Sequence, residues 1–179
     1  ATPVAMAVDE DGTLIITEAS LLANVTDIDS ANLSITSVSV ANGLGTLVDN
    51  GDGTWSFTPA HDFNGSLNLT ATISDGAISV PQTVHIDVTA VNDAPVTAQV
   101  NLSMLEDGTI IINESALLAN ATDVDLDTLS VVSIASPSGT LVNNNDGTWS
   151  FTPAHDFNGS LNLTATISDG TVSVPQTVH

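Results

Sequence analysis

The 179-residue sequence has no lysine and no arginine, against 21 aspartates and glutamates, so its formal net charge is −21. Without basic side chains a protein has nothing to neutralise phosphates or an anionic bilayer surface, and its field repels both. Nucleic-acid binding is therefore excluded. Since ion pairs with lysine or arginine are excluded too, each carboxylate must face water, accept a hydrogen bond or hold a cation.

Cysteine is also absent, so neither a disulfide nor a thiolate metal site is available. The sequence has no run of about 20 apolar residues and no signal peptide, so we expect no direct membrane insertion and regard it as part of a longer chain. Hydrophobic residues nevertheless make up 42% of the sequence. Highly charged chains stay unfolded mainly when apolar residues are scarce, so a folded core is predicted.

What the sequence does contain is a long internal repeat. The stretch DGTWSFTPAHDFNGSLNLTATISDG at residues 52–76 recurs unchanged at residues 146–170. Such a period, above ninety residues, exceeds the roughly 20 to 50 residues of solenoid repeats but suits a β-sandwich domain of about 100 residues. We predict two tandem domains, at residues 1–92 and 93–179, the second lacking most of its final strand.

The apolar pattern in each repeat has a period of two. In LNLTATI, Leu67, Leu69, Ala71 and Ile73 alternate with polar residues, as in a half-buried strand. One helical turn is predicted at residues 18–24. Candidate strands of the first repeat are residues 13–17, 33–40, 46–49, 54–58, 66–74 and 78–91. Turn signals between them favour an all-β antiparallel sandwich of about seven strands per repeat.

The few aromatic residues allow two interpretations. Trp55 and Phe57 lie two apart in one predicted strand, as do Trp149 and Phe151. They could form a sugar-stacking platform, but a domain with only 3% aromatic residues usually buries them. We therefore expect these side chains in the core.

Acidic residues cluster in predicted loops. D-x-D pairs follow the phrase LLAN in both repeats, SDG follows the longest amphipathic strand, and NDAP lies at the seam. Calcium prefers six to eight oxygen ligands, which alternate aspartates of an irregular loop can supply. The glycine and closing glutamate of an EF-hand are missing. The alternative is that these acids serve solubility and turn capping.

The order of Glu10, TD-x-D, SDG and VNDAP resembles the cadherin and bacterial cadherin-like repeats of large secreted adhesins. The phrases LLAN-x-TD-x-D, DGTWSFTPAHDFNGS and VNDAPV look most like RTX adhesins exported by type I secretion. The resemblance implies Ig/cadherin-like Greek-key sandwiches at the bacterial surface or outside the cell. It also implies Ca²⁺ at the junction between repeats.

Carried over by this resemblance, the junction ligands are Glu10, Asp62, Asn92, Asp93, Asp123, Asp125, Asp127 and Asp169. Weaker half-sites at the outer ends are Asp27, Asp29, Asp75, Glu106 and Asp156. Ala90 stands where the cadherin linker has an acid, and only His61-Asp62-Phe63 represents the D-R-E motif. We therefore expect fewer ions than the three of a cadherin junction.

The sequence thus predicts calcium-binding extender domains of a secreted adhesin, whose partners are neighbouring repeats and whose task is adhesion or biofilm attachment. The alternative is a module that binds polysaccharide or a like domain on another cell. No nucleophile elbow, phosphate loop or paired nucleophile and base is found, so no enzyme is expected. The four histidines, in no H-E-x-x-H motif, are expected to be structural.

Overall fold

A computed structural model describes residues 4–30 and 32–179. The chain divides into two compact units, Ala1–Val91 and Asn92–His179, which we call unit 1 and unit 2. Each unit consists of β-strands and one short helix around its own apolar core. The prediction of an all-β chain built as two tandem sandwiches is confirmed.

Within the part of unit 1 that the structure describes there are seven strands and one helix, α1 (Glu18–Leu22), where the helical turn was predicted. The strands are β1 (Val4–Asp9), β2 (Leu14–Thr17), β3 (Ser34–Val40), β4 (Gly45–Asp49), β5 (Thr54–Pro59), β6 (Gly65–Ser74) and β7 (Ser79–Thr89). One sheet has the order β1-β7-β6-β3 and the other β2-β5-β4. The β1–β7 pair runs parallel and so departs from the predicted antiparallel pattern.

The core of unit 1 lies between these sheets. Along β6, Leu67, Leu69, Ala71 and Ile73 are all buried, which confirms the alternation expected from LNLTATI. Trp55 is only 6% exposed and packs in the same core as the fully buried Phe57. The two aromatic side chains thus lie in the core, where their burial removes a large apolar surface from water.

Unit 2 repeats this plan with shorter strands and a helix, α2 (Glu114–Leu118). Its strands are β8 (Val96–Thr97), β9 (Ile110–Asn113), β10 (Ala121–Thr122), β11 (Ser130–Ala135), β12 (Thr140–Asn143), β13 (Thr148–Thr152), β14 (Leu163–Ser168) and β15 (Ser173–Val178). The sheets are β11-β14-β15, β12-β13-β9 and the short pair β10-β8. Trp149 and Phe151 are buried, 6% and 4% exposed, in its core.

The two helices start differently, and this gives a matched test. The Thr17 hydroxyl accepts a hydrogen bond from the Ser20 N–H (3.1 Å), whereas Asn113 caps α2 without a side-chain bond. We expect Thr17→Ala to lower the free energy of unfolding of unit 1 by about 1 kcal/mol, since an orphan N–H loses its acceptor. Asn113→Ala should cost clearly less. Urea denaturation compares the two, and equal losses would contradict the assignment.

Candidate metal centre

Three carboxylates of unit 2 converge in the loop after β10. This acidic loop, residues 123–127, is folded back by Asp123, whose Oδ1 accepts the N–H groups of Asp125 (3.0 Å) and Asp127 (3.3 Å). One carboxylate oxygen from each of the three aspartates lies within 4.8 Å of the others. Leu126 sits in the left-handed region at φ 64° and is exposed, so the loop geometry is not set by burial of its apolar side chain. The turn brings the three carboxylates close together.

Asn92 and Asp93, the first two residues of unit 2, are hydrogen-bonded to Asp169 and to the acidic loop. The Asn92 side-chain amide donates to Asp169 Oδ2 at 3.0 Å, and the Asp93 N–H donates to Asp125 Oδ2 at 2.8 Å. Asp169 is the aspartate of the second SDG motif; it directly follows β14 and is only 9% exposed. A connected set of contacts therefore joins all six ligands that were predicted in unit 2.

The donor chemistry of this set fits a hard cation. Asp123 Oδ2 is buried and has no hydrogen-bond partner among residues 4–30 and 32–179. A buried carboxylate oxygen without a donor is costly, and a cation is the usual remedy. Two carboxylates about 4 Å apart repel by roughly 1 kcal/mol in water and about 4 kcal/mol near a protein surface. Oxygen ligands alone match calcium better than zinc.

The two predicted ligands of unit 1 have local partners. Glu10 is 3% exposed; its Oε1 accepts the Val91 N–H at 2.6 Å and its Oε2 accepts the Asn64 amide at 3.3 Å. Asp62 adopts φ 56° and contacts His61 Nδ1 at 2.5 Å. A role for these residues beside the unit 2 ligands stays a prediction.

In unit 1 the counterparts of the acidic loop and of Asp169 are Asp27, Asp29 and Asp75, which the sequence predicts to be a weaker half-site. Asp27 Oδ1 accepts the N–H groups of Asp29 and Ser30, each at 2.8 Å, and Asp75 Oδ1 caps the turn that follows β6. Asp27 and Asp75 line one small cavity of about 120 Å³. The same residue types thus lie near each other here, but Ala31 stands in the sequence where the acidic loop of unit 2 has Asp127.

The remaining half-site residues lie at another part of unit 2. Glu106 is exposed, and Asp156 forms an exposed cluster with Asp107 and His155. The Asp156 N–H donates to Asp107 Oδ1 at 3.1 Å, and His155 Nδ1 lies 2.8 Å from Asp156 Oδ2. Sequence reasoning missed Asp107, because its approach to Asp156 joins residues far apart in the chain.

Hydrogen bonds hold the carboxylates of the SDG turns in their ionised form. The Asn92 amide, followed by the N–H groups of Val172 and Thr171, lowers the pKa of Asp169 below its ordinary value. The N–H groups of Ile78 and Ala77 lower the pKa of Asp75 in the same way. A depressed pKa contributes stability above the unfolded-state value of about 3.9, and this stability is lost as pH falls through the folded-state value.

The Asn92–Asp169 contact can be tested by titration. Because Asn92 is the largest cause of the lowered pKa, Asn92→Ala should raise the pKa of Asp169 towards the ordinary aspartate value. Asp75, held by backbone groups of unit 1, should titrate unchanged. Carboxyl carbon NMR between about pH 2 and 6 measures both. An unchanged Asp169 in the variant would show that Asn92 does not bind it in solution.

The chain belongs to the cadherin-like domain family, whose model matches residues 1–89 and again residues 91–179. Human protocadherin-24 domains EC1-2 are 16% identical over 98% of this chain and 93% of that chain, with a TM-score of 0.53, which reflects a shared fold. Protocadherin gamma B7 domains 1–4 are 17% identical over 98% of this chain and 48% of that chain, TM-score 0.47. No curated protein sequence matches the chain.

An endo-fucoidan hydrolase from glycoside hydrolase family 107 is 21% identical, with a TM-score of 0.36. The match covers 99% of this chain but only 27% of that one, and the chain spans about a quarter to a third of the hydrolases of this family that it matches. Cadherin-like domains are typically extracellular, generally bind calcium and generally occur in tandem arrays. Among the described residues, the helices are too short and polar to cross a bilayer.

Proposed function

We propose that the two units are calcium-binding extender domains of a secreted bacterial adhesin, and that calcium stiffens them into a rod for cell adhesion or biofilm attachment. The observation that carries the proposal is the pair of hydrogen bonds that Asn92 and Asp93 make with the acidic end of unit 2. By this we mean the acidic loop, residues 123–127, together with Asp169. Asn92 and Asp93 lie where one repeat passes into the next, and their partners are Asp169 and Asp125. An ion held here would restrain the connection between repeats.

The ligands would be Asn92, Asp93, Asp123, Asp125, Asp127 and Asp169 of unit 2, joined by Glu10 and Asp62 of unit 1. Calcium would supply positive charge to carboxylates that otherwise repel one another. Asp123 would have two roles. Its Oδ1 accepts the backbone N–H groups that fold the loop, and its buried Oδ2 would bind the ion. Since some of these oxygens already accept hydrogen bonds, we expect one or two ions per junction.

The carbohydrate-binding alternative loses its main support. A sugar-stacking platform needs an exposed aromatic face, yet Trp55 and Trp149 are each 6% exposed. A non-catalytic spacer also agrees with the repetition of identical sequence, because a spacer has no unique site to preserve. Homophilic adhesion would require calcium-dependent dimerisation, which analytical ultracentrifugation would detect.

The proposal is tested by X-ray scattering of the chain in excess chelator and in millimolar calcium. We expect calcium to give a more extended and narrower distribution of shapes, since a bound ion restrains residues 92–93. Magnesium at equal concentration is the control, because it demands six near-octahedral ligands at shorter distance. Identical scattering with and without calcium would refute the stiffening.

A further inference from the structure

Four asparagines of the sequence are followed directly by glycine. These pairs are Asn42-Gly43, Asn50-Gly51, Asn64-Gly65 and Asn158-Gly159. Asparagine is a thermolabile residue, because the nitrogen of the next residue can attack its side-chain carbonyl carbon and displace ammonia. Glycine has no side chain to block that approach. Which of the four pairs reacts depends on whether the fold lets the two groups meet.

The first pair lies in an exposed turn between β3 and β4. The Leu44 N–H donates to the Ala41 carbonyl at 3.3 Å and closes the turn, and Gly43 has φ +87°. Asn42 and Gly43 are both exposed, and a Cβ at Gly43 would have no neighbour within 4 Å. The space beside the Gly43 nitrogen is therefore open to the side chain that precedes it.

The reacting groups of this pair are not held by hydrogen bonds. In the part of the chain that the structure describes, neither the Asn42 side chain nor the Gly43 N–H has a hydrogen-bond partner. An exposed side chain changes rotamer within nanoseconds, so the Asn42 carbonyl carbon can turn towards the Gly43 nitrogen. No hydrogen bond has to break before Gly43 gives up its proton.

Asn50-Gly51 is exposed too, but both of its reacting groups are held. Asn50 Nδ2 donates to the hydroxyl oxygens of Thr54 (2.9 Å) and Ser56 (3.0 Å). The Gly51 N–H donates to Asp49 Oδ1 at 2.9 Å. These bonds must break before the Gly51 nitrogen can reach the Asn50 carbonyl carbon. Exposure alone therefore does not make such a pair reactive.

In the other two pairs the asparagine amide is held by one hydrogen bond. Asn64 Nδ2 donates to Glu10 Oε2 at 3.3 Å, and Asn158 Nδ2 donates to the Asp156 carbonyl at 3.4 Å. Of the four pairs, only the one at Asn42 has an asparagine side chain with no partner among residues 4–30 and 32–179. We therefore expect it to react first.

The equivalent turn of unit 2 cannot react in this way. Ser136 and Pro137 stand there in the sequence at the positions of Asn42 and Gly43. Serine has no carboxamide, and proline has no N–H that could give up a proton. The two repeats, which are identical over long stretches, thus differ in their chemistry at this turn.

We propose that Asn42-Gly43 is a site of spontaneous modification, at which the chain gains a carboxylate. The Gly43 nitrogen loses its proton to hydroxide and forms a bond to Asn42 Cγ, while the bond from Cγ to Nδ2 breaks. Nδ2 takes up a proton from water and leaves as ammonia. A second water opens the five-membered imide at either carbonyl carbon, which gives aspartate or isoaspartate. The product places a negative charge within residues 30–48, which otherwise contain no acid.

The test is to age the 179-residue protein in mildly alkaline buffer and to follow each pair by mass spectrometry of peptic peptides. Pepsin cuts a chain that has no lysine or arginine, and its low pH stops the reaction. We expect Asn42 to convert at least about tenfold faster than Asn50, because the hydrogen bonds of Asn50 and Gly51 must break first. Fragmentation at the N–Cα bond should identify both aspartate and isoaspartate at position 42.

Unfolding in urea is the control for the local sequence. Without the fold both pairs have free reacting groups, so the rates at Asn42 and Asn50 should become similar. In the folded protein, Thr54→Val with Ser56→Ala should speed conversion at Asn50 and leave that at Asn42 unchanged. Equal rates at the two sites in the folded protein, the same ratio of rates in urea as in buffer, or an unmodified Asn42 after another pair has converted would each overturn the proposal.

Discussion

In the Asp123→Ala/Asp125→Ala variant we expect calcium to have lost its effect on the melting temperature of unit 2. The substitutions remove two of the three carboxylates that lie within 4.8 Å of one another, together with the buried Asp123 Oδ2. At calcium about 100-fold above Kd, one site adds about 2.7 kcal/mol to stability, which for a domain of this size is on the order of 10 °C. Differential scanning calorimetry in chelator and in calcium measures the difference.

The matched control is Asp27→Ala/Asp29→Ala, which removes the equivalent pair from unit 1. Because this pair belongs to the predicted weaker half-site, in which Ala31 stands where the acidic loop has Asp127, we expect this variant to keep most of the calcium effect. Circular dichroism in chelator should show that both variants remain folded. A calcium-dependent rise that persists undiminished in the Asp123/Asp125 variant would place the ion elsewhere.

A second large effect is expected in the core, for Gly45→Ala. A Cβ at Gly45 would lie 2.5 Å from the Thr58 carbonyl oxygen and 2.7 Å from the Phe57 ring, and the residue has φ +151°. Phe57 is fully buried, so its ring cannot move into solvent without exposing the core. Overpacking and backbone strain together should lower the free energy of unfolding of unit 1 by about 2 to 5 kcal/mol.

Gly51→Ala separates these two causes. Gly51 also has positive φ, +75°, but a Cβ there has no neighbour within 4 Å. This substitution should therefore cost only the left-handed strain, about 1 to 2 kcal/mol. Urea denaturation of both variants gives the comparison. If Gly51→Ala costs as much as Gly45→Ala, the contact with Phe57 does not determine the effect.

Much of this fold could be predicted because its determinants are local. The period-two pattern of β6 identifies the buried face, and the Asn, Asp and Gly turns punctuate the strands. Strand β1 was missed because its sequence, VAMAVD, is short and its stability comes from parallel pairing with β7, for example Val4 opposite Val84. No window of sequence contains that contact.

In the candidate site, too, the residues set by local sequence could be predicted and those set by distant contacts could not. Asp123, Asp125 and Asp127 were found because alternate aspartates fold onto their own backbone, which is local chemistry. The approach of Asp107 to Asp156 depends on a contact between residues far apart in the chain, so sequence alone did not reveal it. Residues 159–162 have no regular structure although the same letters are strand at 65–68, because strand formation depends on the segment with which a stretch pairs.

The central claim, that the acidic end of unit 2 binds calcium, is tested most directly by calorimetric titration of the chain with calcium. Salt near 0.15 M should be present so that diffuse attraction to the net charge of −21 is screened. We predict saturable binding of one or two ions with Kd on the order of 10⁻⁴ to 10⁻³ M, and loss of the tighter site in Asp123→Ala/Asp125→Ala. No saturable heat up to about 10 mM calcium would contradict the account.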